Sequence, residues 1–270
     1  MRCPVKQSVL LVVAMVAFAG TAFAADMAPR TYTKAPAPVA APVYNWGGFY
    51  VGINGGGGSA RKCWDLVGGI AGPVNPAFAE GCHDATGATA GGQIGYRWQA
   101  TSWVFGLEAQ GNWANFKGSN ANPTLAGAFD DATKVDAFGL FTAQVGYAFN
   151  NVLLYAKGGA AVVNDKYSHS TLVPNVTVNG VPAPVGQTFA TGSETRWGGV
   201  AGVGLEFSFA PRWSVALEYD HLFMGNRDVN LNLIAPFGTG LLFTHRIRQD
   251  VDIGTVRLNY TFGGPVVAKY

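Results

Sequence analysis

The sequence is poor in charge. Asp, Glu, Lys and Arg make up 13% of its 270 residues, and the net charge is +2. That is about half the usual charged share, and the basic residues are scattered, so no polyanion groove is implied and nucleic acid is not expected as a partner. Long apolar runs are also missing. The longest, Val9 to Ala19, is too short for a membrane-spanning helix, which needs roughly 20 residues. There are three cysteines and four histidines, with no second Cys or His at ligand spacing around Cys63, Cys82 and His83. A zinc or other metal site therefore lacks its ligand set, and no cofactor motif is present. Against these absences stand 37 glycines, 13% aromatic residues and 49% hydrophobic residues, too much apolar material for a disordered chain.

The first residues read as an export signal. Arg2 and Lys6 precede the apolar run, and Ala22-Phe23-Ala24 supplies small residues for cleavage between Ala24 and Ala25. Removal of residues 1–24 takes away Cys3 and leaves the even pair Cys63 and Cys82, which in an oxidising compartment reads as a disulfide. Such a bridge closes a loop of about 20 residues and stabilises by roughly 3 kcal/mol on the chain-entropy model. Residues 25–45 are Ala/Pro-rich, as in Lys34-Ala35-Pro36-Ala37-Pro38, and suit an extended periplasmic tether of up to about 60 Å. Residues 46–262 change character, and 263–270 form a short tail.

From Trp46 onward period 2 replaces period 3.6. Trp103, Phe105, Leu107, Ala109, Gly111 and Trp113 alternate with Val104, Gly106, Glu108, Gln110 and Asn112. Trp197, Gly199, Ala201, Val203, Leu205, Phe207 and Phe209 alternate with Arg196, Gly198, Gly202, Gly204, Glu206 and Ser208. Five further segments behave alike, Phe49–Ile53, Gly92–Trp98, Phe141–Phe149, Trp213–Asp220 and Val256–Phe262, and a sixth, Val152–Val163, alternates less cleanly, with Lys157 marking its polar face. A soluble sandwich alternates too. Two features select a membrane barrel instead. Connections alternate strictly between a few residues and roughly 20 to 35, and outward Trp103 and Trp113 bracket about 25 Å, the height of an apolar band between aromatic girdles. The expected fold is all-β: an eight-stranded antiparallel up-and-down transmembrane barrel in the outer membrane, with short periplasmic turns and long extracellular loops, closed because lipid tolerates no free edge.

The polar face of these strands carries Arg97, Glu108, Lys157, Arg196, Glu206, Glu218 and Arg257. A charged conduit is one reading; a plug of paired charges is favoured, because eight strands enclose room only for side chains. Gly55-Gly56-Gly57-Gly58 precedes no helix and no P-loop Lys, so it is not a phosphate cradle. Ser168-His169-Ser170 and Asp220-His221 are the sole hints of hydrolytic chemistry. Asp220 and His221 fall on opposite faces of a strand, and no catalytic residue is assigned. Asn179-Gly180 marks a hairpin turn in the third long connection. Whether the long connections form a receptor surface or a lipopolysaccharide-packed lid stays open.

Tyr32-Thr33-Lys34-Ala35-Pro36, Tyr44-Asn45-Trp46 through Gly52, Val145-Gly146-Tyr147-Ala148-Phe149, and the closing Leu258-Asn259-Tyr260-Thr261-Phe262 resemble a known family. It is the small outer-membrane barrel group of alphaproteobacteria ("porin family", outer-membrane immunogenic proteins), similar in fold to the OmpA transmembrane domain. The resemblance covers essentially the whole chain. It implies an abundant, immunogenic, surface-exposed envelope protein rather than an enzyme, with outer-membrane lipid and lipopolysaccharide as partners. The barrel-assembly machinery would read the closing strand at Phe262. In some relatives a mature Ala-Asp terminus is joined to peptidoglycan, which would make Ala25 a wall-attachment point. The leading expectation is a structural envelope protein. A narrow channel for small solutes and a surface adhesin are the alternatives.

Overall fold

A computed structural model describes residues 44–122 and 127–262. The signal peptide, most of the tether, the cleavage and wall-attachment positions Ala24 and Ala25, and the tail lie outside the described residues. Among the described residues ten strands are present: β1 (Gly48–Gly69), β2 (Gly72–Ala100), β3 (Trp103–Ala121), β4 (Phe129–Phe149), β5 (Val152–Thr171), β6 (Val176–Val178), β7 (Val181–Ala183), β8 (Thr188–Ala210), β9 (Trp213–Leu233) and β10 (Gly240–Phe262). Eight of them close a barrel in the order β1-β10-β9-β8-β5-β4-β3-β2, and all neighbours are antiparallel. Closure joins the first and last strands, Phe49 opposite Phe262, so no edge faces lipid.

At one rim the strands turn in two residues. Thr101 and Asn150 adopt φ of 58° and 55° there, the left-handed conformation such tight turns require. The other end differs from a ring of open loops. The barrel strands run 19 to 29 residues, although a tilted strand crosses a bilayer in about 10. Most of each long connection is therefore paired ribbon that continues the barrel wall outward. Cys63 faces Cys82 across β1 and β2 at a Cα separation of 4.0 Å, and the two form a disulfide within that ribbon. The third connection folds as the small hairpin β6-β7, with Asn179 and Gly180 at φ of 49° and 77°.

The two faces divide as alternation dictates. Outward lie Phe49, Ile94, Trp98, Trp103, Leu107, Trp113, Tyr147, Trp197, Phe209, Trp213 and Phe223, all exposed. They form a band that ends near Trp113, Trp197 and Phe223, about ten to thirteen residues from the short turns. Inward, the glycines make room for large polar side chains. A Cβ on Gly95 would lie 2.5 Å from the Tyr50 ring, and one on Gly204 would strike the Tyr155 ring. Gly55 to Gly58 are ordinary ladder residues of β1, paired with β2 and β10.

Candidate functional site: the stratified lumen

The inside of the barrel is filled, and its filling is layered. At the short-turn rim Trp46, Val104, Ala148, Leu153 and Tyr155 form an apolar floor. Five residues or so further along each strand comes a cluster of charges. Arg97 Nη2 lies 2.8 Å from Glu206 Oε2, and its guanidinium stacks 4.4 Å from the Tyr50 ring centroid. Tyr50 donates to Glu108 at 2.6 Å, and Tyr155 donates to Glu218 at 2.6 Å. Arg257 forks between those two carboxylates, donating to Glu108 through Nη2 and to Glu218 through Nη1. Lys157 Nζ completes the set, 2.7 Å from Glu218 and 3.2 Å from Asp220. Every charge here is buried and every one has an oppositely charged neighbour, the condition under which buried charge survives.

Above this cluster a neutral network, in which Asn112 donates to Asn54 and Asn54 to Gln93, gives way to apolar side chains. Phe116, Phe138, Leu140, Leu222 and Ile253 belong to a buried layer to which all eight barrel strands contribute. Phe116 and Phe138 meet at a centroid distance of 6.5 Å.

A second polar layer follows, beyond the aromatic band. Lys62 Nζ donates to Asp165 at 2.7 Å and to Gln249 at 2.6 Å, and lies 5.1 Å from the Tyr167 ring centroid. Burial outweighs the nearby carboxylate and pushes the Lys62 ammonium down to about 8. Arg196 bonds Glu194 and the carbonyls of Gly225 (3.2 Å) and Ile247 (3.0 Å), bridging β8, β9 and β10. Next to it three histidines crowd Trp64. The rings of His169 and His245 lie 5.6 and 5.2 Å from its centroid and 5.1 Å from each other. His169 Nδ1 is 3.0 Å from Asp131, and His245 Nε2 is 2.9 Å from Glu80. His83 lies 2.6 Å from Asn120 and 3.1 Å from Thr133, and burial lowers its affinity for a proton. Burial raises the Glu80 carboxyl, but the hydrogen bond and charge of His245 outweigh it and hold it below the usual range. Phe189, Leu231, Phe237 and Val178 of the β6-β7 hairpin close the far end.

The seven charges singled out from the sequence fall in two places. Arg97, Glu108, Lys157, Glu206, Glu218 and Arg257 meet in the lower cluster, whereas Arg196 belongs to the upper layer. Sequence reasoning put Asp220 on the face of Glu218 without counting it among the interior charges, and it missed Lys62, Asp165 and the burial of the histidines. Lys62 continues the alternation Tyr50, Gly52, Asn54 up β1, so extending the period past the membrane would have found it. Asp220 points inward and His221 outward, where His221 Nδ1 and Tyr219 Oη share Asp252 at 2.7 and 2.6 Å. Among the described residues no group of three or more His, Cys, Asp or Glu could hold a metal ion.

A closed antiparallel barrel with an apolar outer band, short turns at one rim and a filled lumen defines a small outer-membrane β-barrel protein. The chain belongs to the outer membrane protein beta-barrel domain family, whose model matches residues 10–235. It is similar to the 31 kDa outer-membrane immunogenic protein of Brucella melitensis, 28% identical over 95% of this chain and 100% of that protein. The 25 kDa outer-membrane immunogenic protein of Brucella abortus is 28% identical over 84% of this chain and 88% of that one. Among solved structures, OprG from Pseudomonas aeruginosa aligns at a TM-score of 0.45 with 11% identity, covering 81% of this chain and 97% of that one. The family places the chain in the outer membrane. The two Brucella relatives are named as outer-membrane immunogenic proteins.

Proposed function

We propose that this protein is a sealed structural barrel of the outer membrane rather than a solute channel. The observation that carries the reading is the apolar layer around Phe116, Phe138 and Leu140, lying between two charged layers in the lumen. An ion in transit would have to shed water against these side chains, where the neighbouring polar groups Gln110 and Asn112, opposite Leu140 and Phe138, are already bonded to each other, and that step costs several kcal/mol. The charged layers do not offer a route either, since their side chains are spent on one another. Purified protein reconstituted in planar bilayers is expected to give no resolvable conductance steps. Replacing Phe116, Phe138 and Leu140 together by Ser should introduce them. Regular steps from the unaltered protein would overturn the sealed reading and promote the narrow channel. The Ala25–Asn45 segment adds wall anchoring to this role, on the resemblance of its Ala25-Asp26 start to relatives joined there to peptidoglycan and on a length that can reach the wall. Walls stripped with hot detergent and trypsinised should yield the peptide 25–30 carrying a muropeptide mass, and free peptide alone would remove the anchor.

A further inference from the structure

The outer face of the barrel holds a feature that the sealed lumen does not use. Lys117 of β3 pairs with Lys134 of β4, and Lys134 pairs with Lys166 of β5. Three lysines thus stand side by side on adjacent strands, and Lys134 and Lys166 are well exposed. Like charges opposite each other weaken a ladder. Asp136 sits among them, 2.5 Å from both Lys134 and Lys166, and one carboxylate against three ammonium groups leaves the row an excess of positive charge. The acidic groups at the far side of the same groove are engaged elsewhere: Asp228 pairs with Arg246 at 2.8 Å, and Glu194 with Arg196 and Tyr167.

The lysines form the membrane-side margin of a groove of about 1090 Å³ that crosses β3, β4, β5, β8 and β9. Its floor is the next register row outward: Ser119, Ala132, Ser168, Thr191 and Asn232, each opposite the next. Four of these five are small hydroxyl or amide side chains, hydrogen-bonding partners without bulk, and Ala132 between Ser119 and Ser168 adds no bulk of its own. The wall beside them is also unusual. Between Thr191/Asn232 and Gly199/Phe223 the β8–β9 ladder lapses, so the edges those strands turn toward each other over 192–198 and 224–231 carry no strand pairing. Unpaired strand edges offer backbone donors and acceptors to a ligand.

Height selects the ligand. Lys117 lies four residues beyond Trp113 on β3, and Ser193, opposite Lys166, lies four residues beyond Trp197 on β8. With a rise of about 3.4 Å per residue and a tilt near 40°, the lysine row stands roughly 10 Å above the girdle. That is the outer margin of the headgroup region, and the polar floor lies further out still. A simple phospholipid ends below this floor, whereas a glycolipid carries sugars up to it. We propose that the groove binds a phosphorylated glycolipid of the outer leaflet. Lys117, Lys134 and Lys166 hold its phosphates, and the Ser119-to-Asn232 row and the open seam hold its sugars.

The test uses the full mature chain, refolded in detergent and titrated with rough lipopolysaccharide by native mass spectrometry. The comparison ligands are the same lipopolysaccharide after dephosphorylation, phosphatidylglycerol and inorganic phosphate. The phosphorylated glycolipid should bind about tenfold more tightly than any of the three. Lys117→Gln/Lys134→Gln/Lys166→Gln should lose most of that margin while keeping its heat-modifiable gel shift. Asp136→Asn removes the competing carboxylate and should bind more tightly than the unaltered protein, a gain that a merely structural role for Asp136 would not give. Arg212→Gln/Arg248→Gln, which removes two exposed cations outside the groove, should bind as the unaltered protein does. Equal binding of phosphatidylglycerol would reduce the row to a general membrane contact. Equal loss in the two charge-removal variants, or no gain in Asp136→Asn, would overturn the site.

Discussion

The two polar layers of the lumen solve one problem by different means. In the lower layer, three cations meet four carboxylates, and single groups serve several partners: Arg257 joins Glu108 to Glu218, and Lys157 reaches Glu218 and Asp220. In the upper layer the ions are held in smaller sets. Lys62 has one carboxylate, Asp165, with an amide and a phenol as its other neighbours, His169 and His245 each face a single carboxylate, and His83 meets only an amide and a hydroxyl. The lower layer lies within the apolar band, where an unpaired charge has no water to turn to, and there the network is shared. The upper layer stands beyond the band, where neutral hydrogen-bonding groups can substitute for part of the charge pairing.

The comparison breaks most sharply at Arg257. Arg257→Met removes the cation shared by Glu108 and Glu218 and leaves both carboxylates buried. Loss of one partner from a buried network costs about 3–5 kcal/mol. We expect a large fall in the urea midpoint of the refolded protein in detergent and heat modification at a lower temperature. Arg257→Met combined with Glu218→Gln should recover part of the loss, because one uncompensated charge goes with it. If the single substitution cost no more than a typical surface change, the lower layer would not be the interdependent network its distances describe.

How much of this was legible beforehand follows from what alternation reports. Period 2 assigns faces, so the outward band from Trp103 to Trp113 and the inward positions of Glu108, Glu206 and Glu218 could be read from the sequence. The eight barrel strands follow from the same pattern together with the alternating connection lengths. Alternation says nothing about height or azimuth, however. It could not separate Arg196 from the lower cluster, because that depends on the fourteen or so residues of β8 between it and the short-turn rim. The upper layer was hidden for another reason. Lys62, His83 and Asp165 lie where the outward face ceases to be apolar. A ribbon with two polar faces reads as loop, even when it is paired along its whole length, as Lys62 with His83 and Gln249. The lysine row was equally invisible, since Lys117, Lys134 and Lys166 become neighbours only through the register of three strands.

A smaller effect sharpens the comparison from the other side. The Lys62 ammonium is pushed down from 10.5 to about 8 by burial. Below pH 8 the lysine is charged in both folded and unfolded chains, and its burial cost is carried in full. Between pH 8 and 10.5 the unfolded chain holds a proton that the folded one has released, so this group makes the protein more stable as pH rises. Above 10.5 the effect is complete. The shift corresponds to roughly 3 kcal/mol across that window. Other lysines and tyrosines titrate there too, so the measurement is a difference: urea midpoints of unaltered protein and Lys62→Met, taken at half-unit steps from pH 7.5 to 10.5. The unaltered protein should gain on the variant as pH rises. A difference that stays flat would mean that Asp165 and Gln249 hold the ammonium charged in the folded state, which would make the upper layer as dependent on its ion pair as the lower one. A gain confirms that the outer layer tolerates a neutral lysine, and it separates the two layers by protonation as well as by position.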